Sequence, residues 1–167
     1  MPRLLPVLLA AGALTLVAAD ARGQAPKSVN VCALLPQAEV EAFIGEKLRR
    51  NPRVSGNDLM TVRSDSCHYR SPGWIISANV ERGRSAAEAK KYLDTFRGVS
   101  GKQTGAKAVS GLGGDAWWTT TDTKSGMLVV ARNGDVFTVQ TSGEGAGAGS
   151  LEKTEALMQK LLAAYSK

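Results

Sequence analysis

The chain has 167 residues with 21 basic and 15 acidic side chains, so its formal net charge is +6. An apolar fraction of 43% beside 22% charged residues excludes a disordered or fibrous protein, and the length suits one domain of ordinary size. The basic balance favours anionic partners, but few aromatic residues lie among the basic ones, which argues against nucleic-acid binding.

The first 21 residues have the pattern of a signal peptide. Arg3 supplies a positive start, residues 4–19 are apolar, and Ala-Asp-Ala at 19–21 fits a small-x-small cleavage site. A transmembrane anchor is the alternative, but 16 apolar residues fall short of the ~20 that span a bilayer. We therefore expect export to the periplasm or extracellular space, and no transmembrane segment in the mature chain. The expected segments are a signal peptide over 1–21, a flexible leader over 22–30 and one domain over 31–167.

Cys32 and Cys67 are the only cysteines in the chain. Export places them in an oxidising compartment, where a structural disulfide is favoured over a thiol site. In the chain-entropy description, closing a loop of this length stabilises the fold by ~4 kcal/mol. The predicted bridge joins the first helix to an early strand.

Local patterns after the leader predict one helix followed by several strands. Pro36 suits a first helical turn and Gly45 suits a helix end, which together predict a helix over 36–44. Mixed polar and apolar runs follow, interrupted by proline, glycine and asparagine. The expected segments are an edge strand over 46–53, a loop over 51–58 and strands over 59–62, 66–70 and 74–82.

The second half contains the clearest local signals. Ser85-Ala-Ala-Glu88 is a capping box that opens a helix, which Gly98 is expected to stop. Asn133-Gly134 favours a type I′ turn, since both residues tolerate a positive φ, and alternating runs on either side predict a hairpin. The expected segments are strands over 115–121, 127–132 and 135–141, a flexible tract over 143–149 and a helix over 150–164. This order predicts an α+β fold, with a mostly antiparallel sheet of five to seven strands and about three helices.

Two motifs that resemble chemistry have plainer explanations. Residues 111–116 fit the dinucleotide pattern G-x-G-x-x-A, but the next residues have strand composition, where a nucleotide site needs a helix. Residues 111–116 therefore indicate a tight turn and not a nucleotide site. His68 is the only histidine, and it follows a cysteine that we expect to be oxidised. A zinc site needs more cysteine or histidine ligands than the chain has, so no metal and no cofactor is expected.

Trp117 and Trp118 are adjacent on a predicted strand, so their rings point to opposite faces. Packing on both sides is one interpretation, and a single exposed ring that serves as a ligand platform is the other. Basic residues cluster in two places and provide a second candidate surface, with a plain solvated face as the alternative. They are Lys47, Arg49, Arg50 and Arg53 in the first cluster, and Arg82, Arg84, Lys90, Lys91, Arg97, Lys102 and Lys107 around the second helix.

The sequence resembles a group of small exported bacterial proteins that have no assigned function. The resemblance rests on Cys-Ala-Leu-Leu-Pro-x-x-Glu-Val from Cys32, on Cys67 before a strand, and on the Gly-Leu-Gly-Gly-Asp-Ala turn at 111–116. Those proteins usually have threonine where this chain has Pro36, and one glycine fewer in the turn. The resemblance implies an α+β fold and transfers no active-site residue.

These observations predict an exported, non-enzymatic binding or accessory protein whose partner is an envelope component. Two alternatives stay open. One is an envelope hydrolase that uses scattered carboxylates or His68, and the other is an electrostatic binder of anionic envelope polymers.

Overall fold

All seven strands of the described residues form one antiparallel sheet, in the order β1-β2-β3-β7-β6-β5-β4. The computed structural model describes residues 26–59, 62–103 and 105–166, so the predicted signal peptide lies outside the described residues. The strands are β1 (Arg53–Leu59), β2 (Val62–Arg70), β3 (Ile75–Arg82), β4 (Lys107–Val109), β5 (Asp115–Asp122), β6 (Ser125–Arg132) and β7 (Asp135–Ser142), and the helices are α1 (Val31–Leu34), α2 (Gln37–Ile44), α3 (Ala86–Ser100) and α4 (Leu151–Tyr165). The predicted α+β class is confirmed.

The Asn133-Gly134 turn joins β6 to β7 as predicted. Both residues have positive φ, 52° and 88°, and Arg132 pairs with Asp135 across the turn. Glycine is required at the second position for a further reason, because a Cβ there would lie 2.5 Å from the carbonyl oxygen of Arg84. The best-defined hairpin of the sheet is therefore specified locally.

One face of the sheet carries the larger hydrophobic core. Helices α1 and α4 pack on β2, β3, β6 and β7, and Val40 of α2 joins the same cluster. Tyr69 and Phe137 are among its largest fully buried side chains, and the Tyr69 hydroxyl donates to the carbonyl of Leu35 at 2.6 Å. The predicted Cys32–Cys67 disulfide is present and links α1 to β2 within this core.

The opposite face carries a smaller core under α3. Ala89 and Leu93 of α3 pack on Val129 and Val136 of the central strands. The capping box at Ser85 is confirmed: its hydroxyl accepts the Glu88 N–H, and the Glu88 carboxylate accepts the Ser85 N–H. α3 packs on β5, β6 and β7. It therefore stands over one half of this face.

The predicted boundaries were wrong around β1. The expected edge strand over 46–53 has no strand structure before Arg53, and the expected loop over 51–58 contains most of β1. The short strand expected over 59–62 covers the connection between β1 and β2, of which residues 60–61 lie outside the described residues. β1 is polar and contains Gly56, so it forms through its pairing with β2 and its own propensity does not predict it.

Two glycine predictions were also wrong. α3 continues past Gly98 to Ser100. A glycine inside a helix lowers the stability of the helix, but this loss is smaller than the stability that α3 gains by packing on the sheet. Residues 143–149, expected to be flexible, are held to the sheet: the Gly145 N–H donates to the Gly73 carbonyl at 2.8 Å, and Gly145 lies against the Trp74 ring. Position 145 has a glycine because a side chain there would collide with the Trp74 ring.

Candidate functional site

The half of the second sheet face that lies beyond α3 carries small polar side chains. Its residues come from four neighbouring strands, and we call them the polar face. They are Ser55 of β1, Ser64, Ser66 and His68 of β2, Ser77 and Asn79 of β3, and Thr138 and Gln140 of β7. Alternation along each strand places all of them opposite the larger core.

The strand register shows where the polar face ends. One cross-strand row runs from Ser55 through Ser66 and Asn79 to Thr138, then continues into Val129 of β6 and Trp117 of β5. The change from polar to apolar falls between β7 and β6, where α3 covers the sheet. Among the described residues, α3 covers only the β5–β6–β7 side of this face, and the other half carries hydrogen-bonding groups.

The side chains of the polar face already bond to one another. Ser55 and Ser66 share a hydrogen bond of 2.6 Å between their hydroxyls, and Ser66 Oγ lies 3.1 Å from His68 Nε2. Across the next pair of strands, Asn79 Nδ2 donates to Ser64 Oγ at 3.0 Å. These groups are hydroxyls, amides and one imidazole, so the surface offers both donors and acceptors to a ligand.

Three arginines lie at one end of the polar face. Arg50, Arg53 and Arg70 line a depression of about 120 Å³ together with His68 and Ile75. The backbone N–H of the neighbouring Arg49 donates to the backbone carbonyl of Arg70 at 2.8 Å. This hydrogen bond holds Arg50 next to β2. We call Arg50, Arg53 and Arg70 the arginine cluster.

None of the three has a carboxylate partner among the described residues. Every ion pair found there involves other cations, such as Lys47 with Glu41 or Arg84 with Glu81. Three guanidinium groups around one depression repel one another, and an anion bound between them would relieve that repulsion through charge-assisted hydrogen bonds. The arrangement is therefore suited to an anionic group.

The basic residues that the sequence places around its second predicted helix, which is α3 in the structure, do not converge on one site. Arg82 lies on the opposite sheet face, where it contacts Asp65 at 3.4 Å, and Arg84 bonds to Glu81 at 2.8 Å while its guanidinium covers the Tyr92 ring. Lys90 pairs with Asp94 at 2.9 Å on the exposed side of α3, where Lys91 is exposed as well. Within this group, Arg82, Arg84 and Lys90 form ion pairs with carboxylates of the same domain and are therefore part of the folded structure.

The two tryptophans are placed on opposite faces, as expected. Trp118 is 3% exposed in the larger core and offers no surface to a ligand. Trp117 is half-buried beneath α3, where its indole N–H donates to Ser100 Oγ at 3.1 Å and the Arg97 guanidinium lies 5.4 Å from the centroid of its ring. The helix therefore covers the ring that could have faced a ligand.

Two carboxylates line a second depression, of about 350 Å³, at the end of α2. Hydrogen bonds from Lys47, the Leu48 N–H and Gln37 lower the pKa of Glu41 to about 2, and bonds from Ser71 and the Gly73 N–H lower the pKa of Glu46. A general acid needs a raised pKa, so both groups have the opposite of the required shift. They hold the loop after α2 and the turn before β3.

Sequence reasoning missed most of the polar face. Arg50 and Arg53 stood in the first basic cluster, but their meeting with Arg70 depends on the β1–β2 register. His68 and Arg70 are two apart on a strand, and that period-2 spacing was the available signal. Among the described residues, no three histidine, cysteine or acidic side chains converge to hold a metal.

No protein-family model matches the chain, and none of the curated proteins matches it. Within the described part of the chain, no helix is both long enough and apolar enough to cross a membrane.

Proposed function

We propose that the chain is an exported binding protein that takes an anionic ligand of the cell envelope at the arginine cluster. The predicted signal peptide and the Cys32–Cys67 disulfide support export, because disulfides persist in oxidising compartments. The observation that carries the proposal is the meeting of Arg50, Arg53 and Arg70 around one depression without a carboxylate partner among the described residues.

A non-enzymatic role is favoured by the form of this surface. The depression is small, about 120 Å³, and the exposed His68 that lines it also belongs to the polar face. Such a surface suits an extended ligand that lies across it, held by hydrogen bonds and charge. The net charge of +6 attracts polyanions from a distance and makes association faster at low salt.

The test compares two triple variants of equal charge. Arg50→Gln/Arg53→Gln/Arg70→Gln removes the cluster, and Lys90→Gln/Lys91→Gln/Lys107→Gln removes three exposed charges elsewhere. Binding of the exported protein to polygalacturonate is measured by fluorescence anisotropy over a salt series. Each lost charge-assisted hydrogen bond is worth ~1.5–3 kcal/mol, so the arginine variant should bind at least about tenfold more weakly.

The lysine variant should bind within about twofold of wild type, since general attraction is screened beyond ~10 Å at moderate salt. Equal losses in the two variants would show that only net charge matters. If wild type binds neither polygalacturonate nor polyphosphate at low salt, the proposal is removed.

A second candidate, an envelope hydrolase, is favoured by one observation. Ser66 Oγ lies 3.1 Å from His68 Nε2, which is the spacing of a nucleophile and its base. If Ser66 is a nucleophile, a fluorophosphonate probe should label the exported protein, and Ser66→Ala and His68→Gln should each abolish the labelling. Wild-type protein that is never labelled would exclude this candidate.

A further inference from the structure

The polar face differs from the arginine cluster in its chemistry. Between the cluster and α3, the two central cross-strand rows contain serine, threonine, asparagine, glutamine and histidine side chains. The members are Ser55, Ser66, Asn79 and Thr138 in one row, and His68, Ser77 and Gln140 in the other. Three interstrand steps of ~4.8 Å give a path of about 14 Å from β1 to β7.

A ligand that bears only charges would use one end of this path. The cations lie at the β1–β2 end, and no lysine or arginine belongs to either row between the cluster and β7. A ligand that follows the whole path needs groups that exchange hydrogen bonds with hydroxyls and amides. Hydroxyl groups do this, because each one is both donor and acceptor.

Solvation alone requires only that an uncovered sheet face be polar. Charged side chains satisfy that requirement and keep a protein soluble, yet both rows lack them beyond Arg53. Five of the seven side chains used instead are short serine, threonine or asparagine, and most of the seven are half-buried among their neighbours. Short side chains lose little conformational freedom when a ligand binds, which favours recognition.

α3 bounds the path at its other end. It stands over β7, β6 and β5, and its own Tyr92 and Phe96, together with Met127 of β6, are partly buried and pack against the smaller core. An extended ligand that leaves the arginine cluster across the strands therefore meets a wall that contains aromatic rings. Such rings pack against the apolar parts of amphipathic ligands.

We infer that the ligand is a carboxylated polysaccharide, whose acidic group binds the arginine cluster and whose hydroxyls bond to the polar face across β2, β3 and β7. This inference rests on the proposed function and adds the class of polymer. The positive charge of the arginine cluster complements an acidic group on the ligand. The uncharged hydrogen-bonding side chains of the two rows complement the hydroxyl groups of a polysaccharide.

The test uses two polyanions that differ in hydroxyl groups. Polygalacturonate carries carboxylates and hydroxyls, whereas polyphosphate carries charge without sugar hydroxyls. The polar-face variant is Ser77→Ala/Thr138→Val/Gln140→Met, which keeps the net charge and approximate side-chain shapes. Its control makes the same three changes at exposed positions outside the face. These are Ser110→Ala/Thr123→Val/Gln159→Met.

The polar-face variant should bind polygalacturonate about tenfold more weakly than wild type, because each neutral hydrogen bond contributes a factor of about two to ten. Its affinity for polyphosphate should change less than about twofold. The control should bind both polymers as wild type does. Circular dichroism and the urea midpoint establish that each variant is folded.

The outcomes separate this inference from the proposed function. If the polar-face variant binds polygalacturonate as tightly as wild type while the arginine variant does not, the polysaccharide inference is overturned and the anion site stands. Equal loss on both polymers by the polar-face variant also overturns the inference. If the arginine variant binds as wild type, or wild type binds neither polymer, both proposals fail.

Discussion

The carboxylate of Asp65 accepts a hydrogen bond from the backbone N–H of Val29 at 2.9 Å, although 36 residues separate the two. Asp65 is 2% exposed and also contacts Arg63 at 2.8 Å and Arg82 at 3.4 Å. The Cys32–Cys67 bridge lies two residues further along β2. The carboxylate and the disulfide thus hold the start of the folded domain to the same strand.

Replacing Asp65 by asparagine should lower the free energy of unfolding at pH 7 by about 3 kcal/mol, because it removes a buried charge that balances the partly buried guanidinium groups of Arg63 and Arg82. Urea denaturation measures the change. Glu144→Gln is the control, since Glu144 pairs with Lys124 while 74% exposed, and it should change stability by less than about 1 kcal/mol. Similar losses in the two variants would contradict the role of burial.

The same carboxylate predicts a pH dependence. Burial alone would raise the pKa of Asp65, but hydrogen bonds from the Val29 N–H and Arg63, together with Arg82, lower it below its ordinary value. A lowered pKa in the folded state means that the stabilisation is fully present above about pH 4 and is lost as pH falls through the folded pKa. The difference between wild type and Asp65→Asn should therefore shrink on acidification below about pH 4.

The disulfide should contribute about 4 kcal/mol, since it closes a loop with a sequence separation of 35. The variant Cys32→Ala/Cys67→Ala should unfold at a correspondingly lower urea concentration than the oxidised wild type. Wild type in reductant should approach the variant. The native protein should resist alkylation until it is reduced, and free thiols on the native form would contradict the bridge.

Local signals predicted the parts of the fold that local chemistry determines. The Asn133-Gly134 turn and the Ser85 capping box needed only neighbouring residues, and both are present. β1 has no apolar alternation of its own, and it is a strand because β2 lies beside it. The polar face was missed for the same reason, since its rows exist only once four strands have a fixed register.

The contacts that the sequence could not predict join residues that are distant in the chain. Arg82 looked like a free surface cation, but it contacts Asp65 across the β2–β3 pair. Trp117 could have been exposed, but α3 folds back over it and supplies Ser100 as a hydrogen-bond acceptor. Residue type and spacing give no measure of such contacts, which depend on where helices return to the sheet.

The Glu41 carboxyl should titrate at about pH 2 in carbon-13 NMR spectra of the carboxyl groups. Its pKa is lowered by hydrogen bonds from the Lys47 side chain, the Leu48 N–H and Gln37. Lys47→Met removes the first of these and should raise the pKa toward its ordinary value. A Glu41 signal that does not move in Lys47→Met would exclude the lysine as the main cause.

Two glycine-to-alanine changes should have opposite effects on stability. At Gly126 of β6, a Cβ would overlap the ring of Trp118 and lie 2.8 Å from the Gly149 carbonyl oxygen. Trp118 is buried and cannot move aside, so Gly126→Ala should lower the free energy of unfolding by about 1–3 kcal/mol.

Gly98 lies inside α3, and a Cβ there would meet nothing within 4 Å. Gly98→Ala should therefore raise the free energy of unfolding by about 0.5–1 kcal/mol, because alanine restricts the unfolded chain and favours the helix. Urea denaturation of both variants beside wild type measures the two changes. If Gly126→Ala leaves the free energy of unfolding unchanged, the β5–β6 pair is packed less tightly around Trp118 than the contacts require. If Gly98→Ala lowers the free energy of unfolding, α3 does not extend through this position.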